Sequence, residues 1–189
     1  GLSGAAITSR SGLISVPTPG AGNSYLAGFS AFATVAGTYE LIDRLWDNSG
    51  LVVTTTTAQT INSVAWPARD MDGATDGRGV MVGLEVRTAT TNASAITNMT
   101  FSYTNSDGVA GRTGTIPSFP ATAAIGTFVE GYLQAGDEGI QSLQSWTLGT
   151  SLAAGAVHLV AFRRIGLPAN CGGAGFGRDL DALGAGFTR

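Results

Sequence analysis

The chain has no lysine, a single histidine (His158), a single cysteine (Cys171) and few charges of either sign. Without an ε-ammonium group, neither a phosphate-cradling GxxxxGK[ST] loop nor a Schiff-base nucleophile can be built. One cysteine cannot close an intrachain disulfide, so stability must come from packing and association. One histidine and one cysteine are too few for the usual structural zinc centre. Charged residues make up 12% of the chain, where soluble domains carry about a quarter. The net charge of -3 and the lack of a basic cluster predict no nucleic-acid partner. Residues 1–15 have no basic segment followed by an apolar core, so no secretory signal is expected. The longest charge-free run, residues 11–39, is interrupted by Pro17, Pro19, Gly20, Gly22 and Asn23. Its apolar half is shorter than the roughly 20 residues that span a bilayer. A soluble chain with no membrane partner is expected.

What is present is glycine, threonine, serine and short apolar alternations. Residues 1–24 are rich in Gly, Ser and Pro and read as an N-terminal arm. Residues 166–189 hold seven of the 28 glycines without clear alternation and read as a C-terminal arm, mobile unless it lies on a neighbour. Between them, residues 25–165 alternate short β-type runs with turns. Val80, Val82, Leu84 and Val86 recur at every second position, as do Met99, Phe101 and Tyr103. Further strand candidates are residues 38–46, 51–57, 128–134, 140–148 and 156–163. The β-branched run from Thr54 to Thr57 suits a pleated surface. Alanines in residues 26–35 permit a helix, against which Gly28 and Gly37 argue. Short strands, frequent turns such as Asn105-Ser106-Asp107-Gly108, and no long amphipathic pattern predict an all-β antiparallel sandwich, best fitted by a jelly roll.

Few residues offer chemistry. His158 could serve a nucleophilic triad as base, but no GxSxG elbow accompanies it, and its flanks read as a strand; a structural histidine is expected. Asp70, Asp72, Asp76, Glu85, Glu130, Asp137 and Glu138 could in principle supply a glycosidase pair, yet most sit beside glycine, where Asp caps its own backbone. Asp70, Asp72 and Asp76 are a weak calcium candidate, since Ala74 and Met81 stand where an EF-hand needs ligands. No cofactor is expected. The run Gly172-Gly173-Ala174-Gly175-Phe176-Gly177 lacks a strand-to-helix context for dinucleotide binding. Asn92-Ala93-Ser94 and Asn98-Met99-Thr100 match the glycosylation sequon by chance. The three tryptophans and the tyrosines are expected to be core or interface anchors, with Trp66, before Pro67, the most exposed.

Two stretches, GTYELIDRLWDNSGLVVTTTTAQTINSVAWPARDMDGATDGRGVMVGLEV (residues 37–86) and FPATAAIGTFVEGYLQAGDEGIQSLQSWTLGTSLAAGAVHLVAFRRI (residues 119–165), together resemble small β-sandwich structural proteins of tailed bacteriophages. These decorate or cement a capsid, usually as trimers. The resemblance implies a non-enzymatic virion protein on the capsid surface, with the major capsid protein and its own copies, as a homotrimer, for partners. No catalytic residue is carried over. Terminal apolar residues are the expected contacts: Leu13, Ile14 and Val16 at the front, and Leu167, Phe176, Leu180, Leu183 and Phe187 at the back. The alternative is a carbohydrate- or receptor-binding sandwich on a phage tail or fibre; a hydrolase comes third.

Overall fold

The computed structural model describes residues 4–8, 20–21, 26–32, 34–166, 169–171 and 177–181. Its strands are β1 (Gly4–Ala6), β2 (Gly28–Phe32), β3 (Gly37–Tyr39), β4 (Ile42–Asn48), β5 (Gln59–Thr60), β6 (Val80–Thr88), β7 (Met99–Asn105), β8 (Arg112–Ile116), β9 (Phe128–Glu130), β10 (Ile140–Leu148), β11 (Ala156–Arg164), β12 (Ala169–Cys171) and β13 (Gly177–Asp181). No helix occurs among the described residues.

The chain divides into two units. The larger comprises residues 1–8 and 44–163; the smaller comprises residues 9–43 and 164–189. This partition differs from a body over residues 25–165 flanked by arms. In the smaller unit β12 pairs with β3 and β13 with β2, both antiparallel. Part of the glycine-rich tail is therefore strand, and residues 28–32 are strand where a helix was permitted. A backbone ladder needs no side-chain alternation, which is why neither pairing shows in the residue pattern.

The larger unit is an all-β sandwich. One sheet runs β1-β4-β11-β6-β9 and the other β5-β10-β7-β8. The eight strands β4 to β11 pair as a nested set: β7 with β8, β6 with β9, β5 with β10, and β4 with β11. One long hairpin of four strands out and four back is thus divided between two layers. A single apolar cluster joins the layers. It takes Val80, Val82, Leu84 and Val86 from β6 and Val157, Leu159 and Ala161 from β11. Met99, Phe101 and Tyr103 of β7, Ile116 of β8, and Ile140, Leu143, Trp146 and Leu148 of β10 face them. In β6 and β7 every second residue is buried, as period-two patterning requires.

Packing dictates several glycines. A Cβ on Gly83 would lie 2.3 Å from Phe128 Cζ, and one on Gly114 would lie 2.2 Å from Phe101 Cζ. Phe128 can therefore cross β6 and meet Phe162 edge-on, with ring centroids 5.3 Å apart.

Residues 51–57 are not a strand. The Gln59 side chain instead receives the Val52 N–H at 2.8 Å and donates to the Val52 carbonyl at 2.9 Å. One amide side chain fills the place of a neighbouring strand, and Leu51 and Val53 are still buried. Residues 38–46 are split between β3 and β4, and of residues 128–134 only Phe128–Glu130 is strand.

Candidate functional site

A network of five ionisable side chains lies across three adjacent strands of the five-stranded sheet. β4 supplies Arg44 and Asp47, β11 supplies His158, and β6 supplies Glu85 and Arg87. His158 stands directly opposite Glu85 in the β11–β6 register. Its Nδ1 is 2.6 Å from Asp47 Oδ1. Arg44 Nη2 donates to Glu85 Oε2 at 2.5 Å and to Asp47 Oδ2 at 3.3 Å. Arg87 approaches both Asp47 and Glu85, at 3.8 and 3.5 Å. The side chains of Arg44, Asp47 and Glu85 are only 13–17% exposed. Positive and negative groups thus interleave on a rigid sheet, with the carboxylates occupied by guanidinium and imidazole. Strand pairing brings this about, since Asp47 and His158 are 111 residues apart. His158 is partnered by the Asp47 carboxylate; a triad needs a hydroxyl or thiol nucleophile as well. Cys171 lies in β12 of the smaller unit.

A second network closes one end of the four-stranded sheet. Asp137, whose side chain is 3% exposed, receives Arg112 Nε and Nη2, both at 2.9 Å, Asn105 Nδ2 at 2.8 Å and the Tyr103 hydroxyl at 2.5 Å. The Gln134 N–H donates to the Tyr103 oxygen at 2.8 Å. The fork of Arg112, joined by the other donors, pulls the Asp137 carboxyl down to about 2. Burial, reinforced by the neighbouring carboxylate, pushes the Tyr103 phenol up to about 12. Every group in this network has a partner that fixes it in one state, which makes it a brace for the loop at residues 134–139.

The acidic loop after Arg69 is organised differently from a cation site. Asp70 is 2% exposed. Its Oδ1 accepts the N–H groups of Asp72 and Ala74, and its Oδ2 accepts that of Gly77. Its hydrogen bond to Asp70 holds the Asp76 carboxyl above the usual range. Asp70 is lowered, because these donors outweigh the cost of burying its charge. Asp72 pairs with Arg78, which also pairs with Glu138, both on the surface. Arg69 instead reaches the carbonyls of Ile7 and Arg44, at 2.9 and 3.1 Å. Among the described residues, no group of three or more His, Cys, Asp or Glu is placed to hold a metal ion.

The outward face of the four-stranded sheet is of another kind. Thr115, Thr100 and Thr147 form one cross-strand row, and Thr113, Ser102, Ser145 and Thr60 form a second. Thr104 and Ser142 begin a third. The four strands carry one charged residue, Arg112, and it is bound to Asp137. Neighbours within a row stand about 4.8 Å apart across the sheet, and Gln144 Nε2 donates to the hydroxyls of Thr104 and Ser142, so the face is a lattice of hydroxyls, methyls and an amide without a charge. The uncharged stretches at residues 48–68 and 88–106 point toward this property, but only the strand registers assemble it.

Trp66 is 6% exposed and packs against Trp46 with ring centroids 6.0 Å apart, contrary to the exposure expected from Pro67. Trp46, Trp146 and Tyr103 are fully buried, whereas Tyr132 is 61% exposed. The tryptophans are therefore core residues rather than a sugar platform. Of the expected terminal contacts, Leu180 lies in β13 opposite Phe29. Leu13, Ile14, Val16, Leu167, Phe176, Leu183 and Phe187 lie outside the described residues. No protein-family model, curated protein or solved structure matches the chain.

Proposed function

We propose that this protein is a non-enzymatic structural subunit of a tailed-phage virion. In this reading it decorates or cements the capsid by binding the major capsid protein and assembles with its own copies as a trimer. The nested eight-strand winding is read as a jelly roll, an architecture suited to side-by-side packing in closed assemblies. The observation that carries the reading is the charge-free hydroxyl face formed by β5, β10, β7 and β8. Covering a charged surface requires desolvating ions, whereas neutral hydroxyls find partners across an interface and threonine methyls add apolar area. The ionisable clusters support the same view, since their carboxylates are held by arginines and backbone donors in closed networks.

The test is add-back to capsids assembled without the protein, followed by sedimentation. Thr113→Arg/Thr115→Arg places two charges on exposed positions of the face. It should abolish attachment while leaving the melting temperature within a few degrees of the parent. Full attachment of that variant would overturn the assignment of this face. Failure of the parent protein to bind any capsid, together with reproducible binding to a glycan, would overturn the capsid reading in favour of a tail or fibre module.

A further inference from the structure

We infer that the edge of β4 is a strand-acceptor slot and that its occupant in the assembled state is β1 of a second copy of this chain. The inference deepens the assembly reading above and rests on it for the purpose of the exchange.

β1 sits in a slot with three distinct parts. Gly4, Ala5 and Ala6 pair with Asn48, Asp47 and Trp46. Gly4 packs so closely against the indole of Trp46 that an added Cβ would come within 1.9 Å of Nε1. Beyond the strand, the Ile7 N–H donates to the Leu45 carbonyl at 2.9 Å, and Arg69 clamps the Ile7 carbonyl at the same distance. At the other end the Gly4 N–H donates to the Asn62 carbonyl. Ile7 is 7% exposed yet stands apart from the main core cluster. The slot thus reads glycine at one position and an apolar side chain three residues later, and it recognises the rest through the backbone.

The chain path makes this strand exchangeable. Residues 1–8 belong to the sandwich, the following residues 9–43 belong to the smaller unit, and the sandwich resumes at Arg44. β1 is held by an edge pairing rather than by two flanking strands of its own unit. A β1 from another copy would make the same hydrogen bonds, the same Gly4–Trp46 contact and the same Ile7 burial. Exchange therefore leaves the interactions unchanged, and raised local concentration in an assembly favours it. An unfilled slot would leave β4 as an open edge beside Trp46, a template for unwanted pairing.

The test uses full-length chains with Cys171→Ser, each carrying one new cysteine, Ala5→Cys or Asp47→Cys. Directly opposed residues of an antiparallel pair are about 4.5–5.5 Å apart at Cα, within disulfide reach. The two chains are mixed, either natively at high concentration or by joint refolding, and then oxidised. Exchange predicts a covalent heterodimer of twice the 19.1 kDa chain mass on a non-reducing gel. Adding Gly4→Val to the Ala5→Cys chain should remove it. A chain carrying both cysteines should close on itself when dilute. Internal closure of that chain without any heterodimer from the mixture would overturn the exchange. Failure of internal closure would overturn the register itself, and a heterodimer that survives Gly4→Val would overturn the slot. None of these outcomes depends on capsid binding, so the two readings fail separately.

Discussion

Replacing Asn92 with alanine should cost the sandwich about 3 kcal/mol, as three hydrogen bonds lost at roughly 1 kcal/mol each. Asn92 is 4% exposed. Its Nδ2 donates to the carbonyls of Ser94 and Pro120, both at 3.0 Å, and its Oδ1 accepts the Thr90 hydroxyl at 2.7 Å. Thr90 Oγ1 in turn accepts the Ala123 N–H at 3.0 Å, so one amide joins the β6–β7 connection to the β8–β9 connection. At roughly 2–4 °C per kcal/mol for a chain of this size, the melting temperature should fall by about 6–12 °C. Urea unfolding followed by tryptophan emission measures the loss directly, because Trp46, Trp66 and Trp146 are all buried in this unit. The denaturant slope should not change. Asn92→Asp probes the same contacts through charge: at neutral pH its carboxylate would face two carbonyl oxygens. Burial against two carbonyl oxygens, with the Thr90 hydroxyl the one side-chain donor described there, raises its folded pKa, so the folded state binds the extra proton and stability should rise as pH falls. A loss below about 1 kcal/mol for Asn92→Ala would refute the assumption that these bonds are satisfied only by Asn92.

Asp137, held down to about 2, should contribute stability that is complete above its ordinary value of 3.8 and lost as pH falls toward 2. Asp137→Asn should flatten the urea midpoint across that window, and an unchanged acid slope would count against the brace. Gly83→Ala should destabilise by roughly 1–3 kcal/mol by driving Phe128 off β6. Adding Phe128→Ala should cost less than the sum of the single changes in a double-mutant cycle, whereas strict additivity would deny the contact. Trp66→Ala should cost about 3–5 kcal/mol as a core truncation, visible by calorimetry; a variant that melts like the parent would place Trp66 outside the core.

Strands with one face in the core were legible from residue order. β6 and β7 repeat apolar side chains at every second position because each alternates between cluster and exterior; β10 breaks that period at two bulges, and β11 buries Val160 and Phe162 as well as Val157, Leu159 and Ala161, so these two were legible from their apolar content. β8 escaped notice because one of its inward positions is Gly114, a site taken by the ring of Phe101. β1 and β12 are short and small-residued, β13 is short and without apolar alternation, and all three exist through partners far along the chain. Residues 51–57 had strand composition, but a single glutamine side chain took the partner's place. The charged network was hidden for a related reason: Arg44 and Glu85 are 41 residues apart, and Arg112 and Asp137 are 25 apart. Composition announced a shortage of charge, and only strand register located the face from which it is missing.

The nested pairing of β4 to β11 also sets an order of birth. β7 and β8 are joined by the short connection at residues 106–111 and can zip as soon as both leave the ribosome, whereas Asp47 and His158 must close 111 residues. By the logarithmic growth of loop-closure entropy, that last pairing costs about 2 kcal/mol more than closing a loop of about eight residues. Once β7–β8 has formed, β6–β9 and β5–β10 need only extend it, and β4–β11 completes the series. Such non-local topologies fold in milliseconds to seconds. During synthesis β4 must wait, unpaired by β11, until nearly the whole body has emerged, and the residues of β1, made before it, can shield one of its edges throughout that interval.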